Sequence, residues 1–127
     1  MESANVFGFE DLEVWKKSRD FKKEIGILVK GFPQEEKYRL TDQLIRSSRS
    51  INSLISEGHG RFTYADQLHY CIQSSGSLSE SFNHLMDAFD NGYITEDKIN
   101  HFRGKLKEIE RILNGYINHL RKQRDNK

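Results

Sequence analysis

Apolar residues recur along this chain at three-, four- and seven-residue spacings in four stretches divided by turn signals. In the first, Val14, Phe21, Ile25, Leu28 and Phe32 fall on one side, while Leu12, Trp15 and Ile27 point elsewhere. A helix with apolar residues in a second direction has a second neighbour to cover them. Gly31-Phe32-Pro33 stops this segment, and Pro33 suits the first position of a short turn through Gln34-Glu35-Glu36. Leu40, Leu44, Ser48, Ile51 and Ile55 form the stripe of the second segment. Gly58-His59-Gly60 is expected to end it, with a glycine taking the left-handed conformation. Thr63, with Asp66 three residues on, reads as the cap of a third helix that turns Leu68, Cys71, Ile72, Leu78, Phe82, Leu85, Met86 and Phe89 inward. Asn91-Gly92 is a turn, and Thr95 caps the last helix, where Glu96 and Asp97 complement the helix dipole. That helix carries Ile99, Phe102, Leu106, Ile109, Leu113, Tyr116 and Leu120, the alternation of threes and fours that makes a left-handed packing seam.

The elements are therefore helices over about 12–30, 39–57, 63–90 and 95–122, with no strand. Short connections make successive helices antiparallel, so the expected fold is all-α, an up-down-up-down four-helix bundle. One domain over 1–127 suffices for this length, and residues 1–8 and 123–127 are expected to fray.

Composition narrows the class. Apolar residues make up 35% and charged residues 31%, with a single proline at Pro33, as in a soluble helical protein. No stretch approaches the ~18 consecutive apolar residues of a membrane span. The opening MESANVFGFED has no apolar run and does not read as a secretory signal, so a cytoplasmic location is expected. Cys71 is the one cysteine and cannot form an intrachain disulfide, which agrees with a reducing compartment.

Net charge is only +1, yet the charge is unevenly spread. Phe62–Asp97 holds six acidic residues and no Lys or Arg, and Lys98–Lys127 holds nine basic residues and three acidic ones. The plainer reading is that the acidic third helix and the basic fourth one pair with each other. The other reading is that Arg103, Lys105, Lys107, Arg111, Arg121, Lys122 and Arg124 contact RNA phosphates.

Two patches place small or polar residues where helices usually carry Leu or Ala: Gln43–Arg61 and Gly76–Glu80. Gln43, Ser50 and Glu57 lie seven apart on one flank of the second helix, with Arg46 and Ser53 between them. The run Ser74-Ser75-Gly76-Ser77 thins the third helix, and interior Gly costs ~1 kcal/mol against Ala, so close backbone approach is expected at Gly76. Gln43, Arg46, Ser50, Glu57, Arg61, Ser77 and Glu80 are expected to form a polar network between these helices or between subunits. Trp15 is either a partner anchor or a packing residue against Tyr38 or Phe32.

The chain resembles the four-helix-bundle proteins encoded by intervening sequences inside bacterial 23S rRNA genes, the "S23 ribosomal protein" type. The resemblance spans residues 9 to about 120. It rests on Leu12-Glu13-Val14-Trp15, Phe32-Pro33 with Glu35-Glu36, Leu40-Thr41-Asp42-Gln43, Arg46 with Ser50-Ile51, Ile55-Ser56-Glu57-Gly58 followed by Arg61, and Gly76–Glu80. Ser47-Ser48 after Arg46, Leu54 and Ser56 depart from the usual Ala, Asn and Ala. The resemblance implies a four-helix protomer, similar to the accessory protein of diversity-generating retroelements, in a ring-shaped homopentamer. That retroelement relative is strongly basic and binds nucleic acid; this chain lacks the charge, so retroelement function is not implied.

No enzymatic chemistry is legible. His59, His69, His84, His101 and His119 form no His-x-x-x-His or Glu-x-x-His pair, and Gly58-His59-Gly60 lacks the Gly-Lys-Ser/Thr of a phosphate loop. No cofactor, metal, catalytic residue, membrane or small-molecule substrate is expected. The expected partners are further copies of the chain, and rRNA or another nucleoprotein; a protein-binding scaffold without nucleic acid is the alternative.

Overall fold

In the computed structural model, which describes residues 7–126, the chain forms four α-helices: α1 Glu13–Leu28, α2 Leu40–His59, α3 Tyr64–Asp90 and α4 Glu96–Asp125. Short 3-10 turns at Phe9–Asp11, Val29–Gly31 and Gln34–Glu36 complete the described residues, which hold no strand. Each helix packs on its two neighbours in the order α1, α2, α3, α4 and back to α1. Cross-helix contacts show that the neighbours run antiparallel. Ser47 and Ser50 of α2 meet Ser81 and Ser77 of α3, and Lys17 and Glu24 of α1 meet Glu108 and Lys105 of α4. The all-α bundle expected from the periodicity is what forms.

Helix ends follow local chemistry. Thr63 Oγ1 accepts from the Asp66 N–H at 3.1 Å and Thr95 Oγ1 from the Lys98 N–H at 3.2 Å, each satisfying a donor that the first turn leaves open. Glu36 does this for α2: its Oε1 accepts from the Leu40 N–H at 3.3 Å, and its Oε2 accepts from the Tyr93 hydroxyl at 2.8 Å, tying the α3–α4 turn to the start of α2. Gly92 takes a φ of +75°, as the Asn-Gly turn predicts.

The second glycine expected to turn left-handed does not. Gly58 lies inside α2, and Gly60 caps it with a φ of −81°. Gly58 is needed for space instead, because a Cβ there would stand 2.8 Å from Tyr70 Cβ and 3.3 Å from the Gln67 carbonyl oxygen. The close approach expected at Gly76 is absent within the chain, where an added Cβ would meet nothing within 4 Å. α4 runs on to Asp125, three residues past the expected end at 122. The buried Leu120 anchors the last turns, and Lys122 and Arg124 complement the helix dipole. Residues 1–6 and 127 of the expected frayed ends lie outside the described residues.

The core is one cluster. Val14, Phe21 and Ile25 of α1, Leu44, Ile51 and Ile55 of α2, Cys71 and Leu85 of α3, and Phe102, Ile109 and Leu113 of α4 are essentially fully buried. Phe21 and Phe102 meet edge to face at 5.9 Å near its middle. Two expectations slip by one residue. Ile72 is 47% exposed, because the buried line of α3 passes through Cys71 and Ser74. On α4 the seam takes Ile117 rather than Tyr116, since a straight helix drifts from a strict heptad. Tyr116 is half-buried, with its hydroxyl 3.4 Å from His59 Nδ1.

Candidate nucleic-acid interface

The two small-residue patches face each other across the α2–α3 seam. Ser81 Oγ donates to Ser47 Oγ at 2.8 Å, Ser77 Oγ to Ser50 Oγ at 2.9 Å, and Ser74 Oγ to the Ile51 carbonyl at 2.8 Å. Small hydroxyls let the helices lie close while satisfying one another, as buried polar groups must. A second polar hub joins α1 to α2: Asn52 Nδ2 donates to Ser18 Oγ at 3.0 Å and to the Trp15 carbonyl at 3.1 Å, and Asn52 Oδ1 accepts from Lys22 Nζ at 2.7 Å. Burial, then the nearby charges of Arg19, Arg49 and Lys23, push the Lys22 ammonium below its ordinary pKa.

The structure does not gather the seven expected network residues. Ser50 and Ser77 meet, as above. Arg46 stays on its own helix, 3.0 Å from Asp42. Arg61 is 3.2 Å from Glu57, hydrogen-bonded to the Tyr70 hydroxyl, and stacked over the Tyr70 ring at 4.6 Å. Glu80 lies 3.2 Å from His84 Nε2, while His84 Nδ1 is buried without a hydrogen-bond partner. Gln43 is exposed. The long charged side chains thus stop at local, solvent-facing pairs, and serines and Asn52 form the interhelical ladder.

Trp15 is half-buried, and its ring meets Phe9 at 5.1 Å and the Arg19 guanidinium at 5.5 Å. It does not reach Tyr38 or Phe32. Phe32 pairs with Tyr93, and it lies some 17 residues along from Trp15, at the other end of the bundle, ~26 Å away at a helical rise.

The seven expected contact residues of α4 divide into two sets. Lys105 is 2.6 Å from Glu24 of α1, which also lies 2.8 Å from His101. Burial works against the Glu24 charge, but the hydrogen bonds from Lys105 and His101 outweigh it and hold this carboxyl below its usual range. Lys107 pairs with Glu110 of the same helix at 3.2 Å, and Arg124 with Asp125 at 2.9 Å. Arg103 bonds to Asn100 and lies over the Phe82 ring at 5.3 Å. Arg111, Arg121 and Lys122 are exposed and, among the described residues, have no carboxylate partner. The expected pairing of a basic α4 with an acidic α3 does not occur: the cross-helix ion pairs of α4 run to α1.

The antiparallel topology also brings together residues that the spacing did not single out. The α2–α3 turn lies beside the C-terminal end of α4, and there Phe62, 99% exposed, and the exposed Tyr64 stand next to Arg124. Arg121, one turn earlier on the same face of α4, borders the groove that continues along Ile72, Ser75, Gly76, Asn114 and Asn118. The sequence signal, an aromatic pair flanked by Arg61, is short and sits in a turn, where burial cannot be read from periodicity.

Among the described residues, no three His, Cys, Asp or Glu side chains stand where they can hold a metal ion, and no helix is long and apolar enough to cross a membrane. Burial pushes the Cys71 thiol up to about 11, so it is a poor nucleophile.

No curated protein matches the chain. Among solved structures it is similar to a protein of unknown function from the S23 ribosomal protein family of Bacteroides thetaiotaomicron, crystallised at 1.70 Å resolution, with 25% identity and a TM-score of 0.77 over 83% of this chain and 95% of that one. The profile of the 23S rRNA-intervening sequence protein family matches residues 10–115. A match over most of the chain, on a bundle of the same shape, settles the relationship: the protein belongs to the 23S rRNA-intervening sequence protein family.

Proposed function

We propose that this protein is a non-enzymatic, homo-oligomeric bundle that binds structured RNA, alone or within a nucleoprotein, through the outward cations of α4. The observation that carries this reading is the exposed set Arg111, Arg121 and Lys122, which among the described residues forms no ion pair with a carboxylate. Cations left in water along one helix attract phosphates, which release their counterions on binding. A ring of copies repeats the set and multiplies the attraction. Self-association is supported by Ile27, 70% exposed on α1, and by Ile72, 47% exposed on α3. The reading is a cytoplasmic one, where the free Cys71 thiol stays reduced.

Two measurements test it. Light scattering coupled to size exclusion is expected to give a mass near a whole multiple of 14.9 kDa, five-fold for the ring that the family resemblance implies; a monomer removes the multiplied charge. A stem-loop RNA is expected to bind in low salt and to be lost by the combined R111E, R121E and K122E variant. Unchanged binding by that variant refutes the reading. The second reading, a protein-binding scaffold, is favoured by exposed Ile27 beside half-buried Leu28 and predicts a protein partner whose capture survives nuclease and fails with Ile27→Asp.

A further inference from the structure

We infer that the Phe62–Tyr64 corner of the bundle is a stacking site for unpaired RNA nucleotides, a proposal that rests on the RNA reading above and assigns it a substrate class. Phe62 leaves nearly its whole ring in water, and Tyr64 beside it is 42% exposed. Burial of such a ring normally stabilises a fold, and among the described residues nothing covers this one. Single exposed aromatics are common on protein surfaces. This pair differs in its surroundings.

Phe62, Thr63, Tyr64, Ala65 and Arg124 line a cleft of about 490 Å³. Arg124 is oriented by Asp125, with Nε donating to Oδ1 at 2.9 Å, and Arg121 follows one turn away. Arg61, on the other side of Phe62, is held by Glu57 and the Tyr70 ring. Among the described residues, the carboxylates of this end are Glu57 and Asp125, both engaged by arginines, Asp66 on the first turn of α3, and Glu10, Asp11 and Glu13 on the α1 corner diagonally opposite α3.

Aromatic faces flanked by arginines match one class of ligand. Bases stack on the rings, and phosphates of the same strand lie on the guanidinium groups. Paired RNA keeps its bases inside the helix and a deep, narrow major groove, so only loops, bulges and ends can present a base face to Phe62. Arg111 and Lys122 need no such opening and attract phosphates of either kind.

The test compares two RNAs that share one duplex, one blunt and one with a single-stranded uridine tail, by fluorescence anisotropy on the full chain. The wild type is expected to prefer the tailed RNA. Phe62→Ala is expected to cut that preference by roughly 5- to 150-fold, the loss of one stacked base. Phe62→Trp is expected to restore it. Because Phe62 touches no core residue, its melting curve should match the wild type. Equal binding of both RNAs by the wild type overturns the inference and leaves the RNA reading standing. Binding of neither RNA overturns both. A tail preference that survives Phe62→Ala, or an assembly mass that falls in that variant, also overturns it, the second by making Phe62 a contact between copies.

Discussion

Gly58→Ala and Gly76→Ala are chemically the same change in the interiors of neighbouring helices, and the structure predicts opposite outcomes. At Gly76 a methyl group would enter open space. Alanine there gains its helix propensity and restricts the unfolded chain, for a stabilisation of about 0.5–1 kcal/mol. At Gly58 the same gain is opposed by contact. The new Cβ would lie 2.8 Å from Tyr70 Cβ, where carbon atoms normally keep 3.5–4.0 Å, and 3.3 Å from a backbone oxygen of α3. Tyr70 Cβ is the root of its side chain and cannot swing away, so α2 and α3 must part by roughly 1 Å. Overpacking of this kind costs about 1–3 kcal/mol. The serine ladder on the same seam would be stretched with it. The expected gap between the two variants is therefore about 1–3 kcal/mol. At about 3–5 °C per kcal/mol for a chain of this size, the melting temperatures should differ by about 3–15 °C. Thermal melts followed by circular dichroism, at one protein concentration, measure this directly. Gly58→Ala melting at or above Gly76→Ala would refute the close approach, and Gly76→Ala melting below the wild type would refute the open face.

Three further outcomes follow from the buried polar groups. Asn52→Ala should lose about 2–3 kcal/mol in chemical denaturation, because Ser18 and Lys22 lose their partner at once. Cys71 ionises at 9.0 in its ordinary state and at about 11 here, so the folded chain keeps a proton that the unfolded chain gives up. Its contribution is full below pH 9 and is lost as pH rises to 11, on the order of 2–3 kcal/mol; Cys71→Ala should flatten that part of the stability profile, and an unchanged slope contradicts the assignment. Glu24 has the opposite sign: its lowered pKa stabilises the fold above the ordinary carboxylate range and the effect fades as acid protonates it. Glu24→Gln should therefore melt lower than the wild type at pH 7 and converge with it on acidification, a convergence that thermal melts across pH can confirm or deny.

The helices were legible because their signals are local. Thr63, Thr95 and Asn91-Gly92 mark ends by chemistry that acts within three residues. Positions that depend on a neighbour were not. Gly58 and Gly76 look alike along the chain, and only the approach of α3 at Tyr70 separates them. The patches on α2 and α3 were visible as unusual, but that their serines answer each other depends on the register of two helices some 30 residues apart. A tally of charge by helix suggested that α3 neutralises α4, whereas partners are chosen by face, and Glu24 of α1 takes Lys105. The one-residue drift to Ile117 reflects 3.6 residues per turn accumulating against a heptad. Phe62 was invisible as a site because a residue in a turn carries no period, and its exposure depends on whether another segment folds over it.

Phosphate binding by Arg111, Arg121 and Lys122 of α4 is read directly from the salt dependence of RNA affinity. The logarithm of the affinity for a stem-loop RNA, followed against the logarithm of salt concentration, should fall with a slope of about −2 to −3 for each protomer engaged, from three cations at roughly −0.7 to −0.9 apiece. The R111E, R121E and K122E variant should lose that slope with its affinity. A wild-type affinity indifferent to salt would contradict the claim that these side chains meet a nucleic-acid backbone.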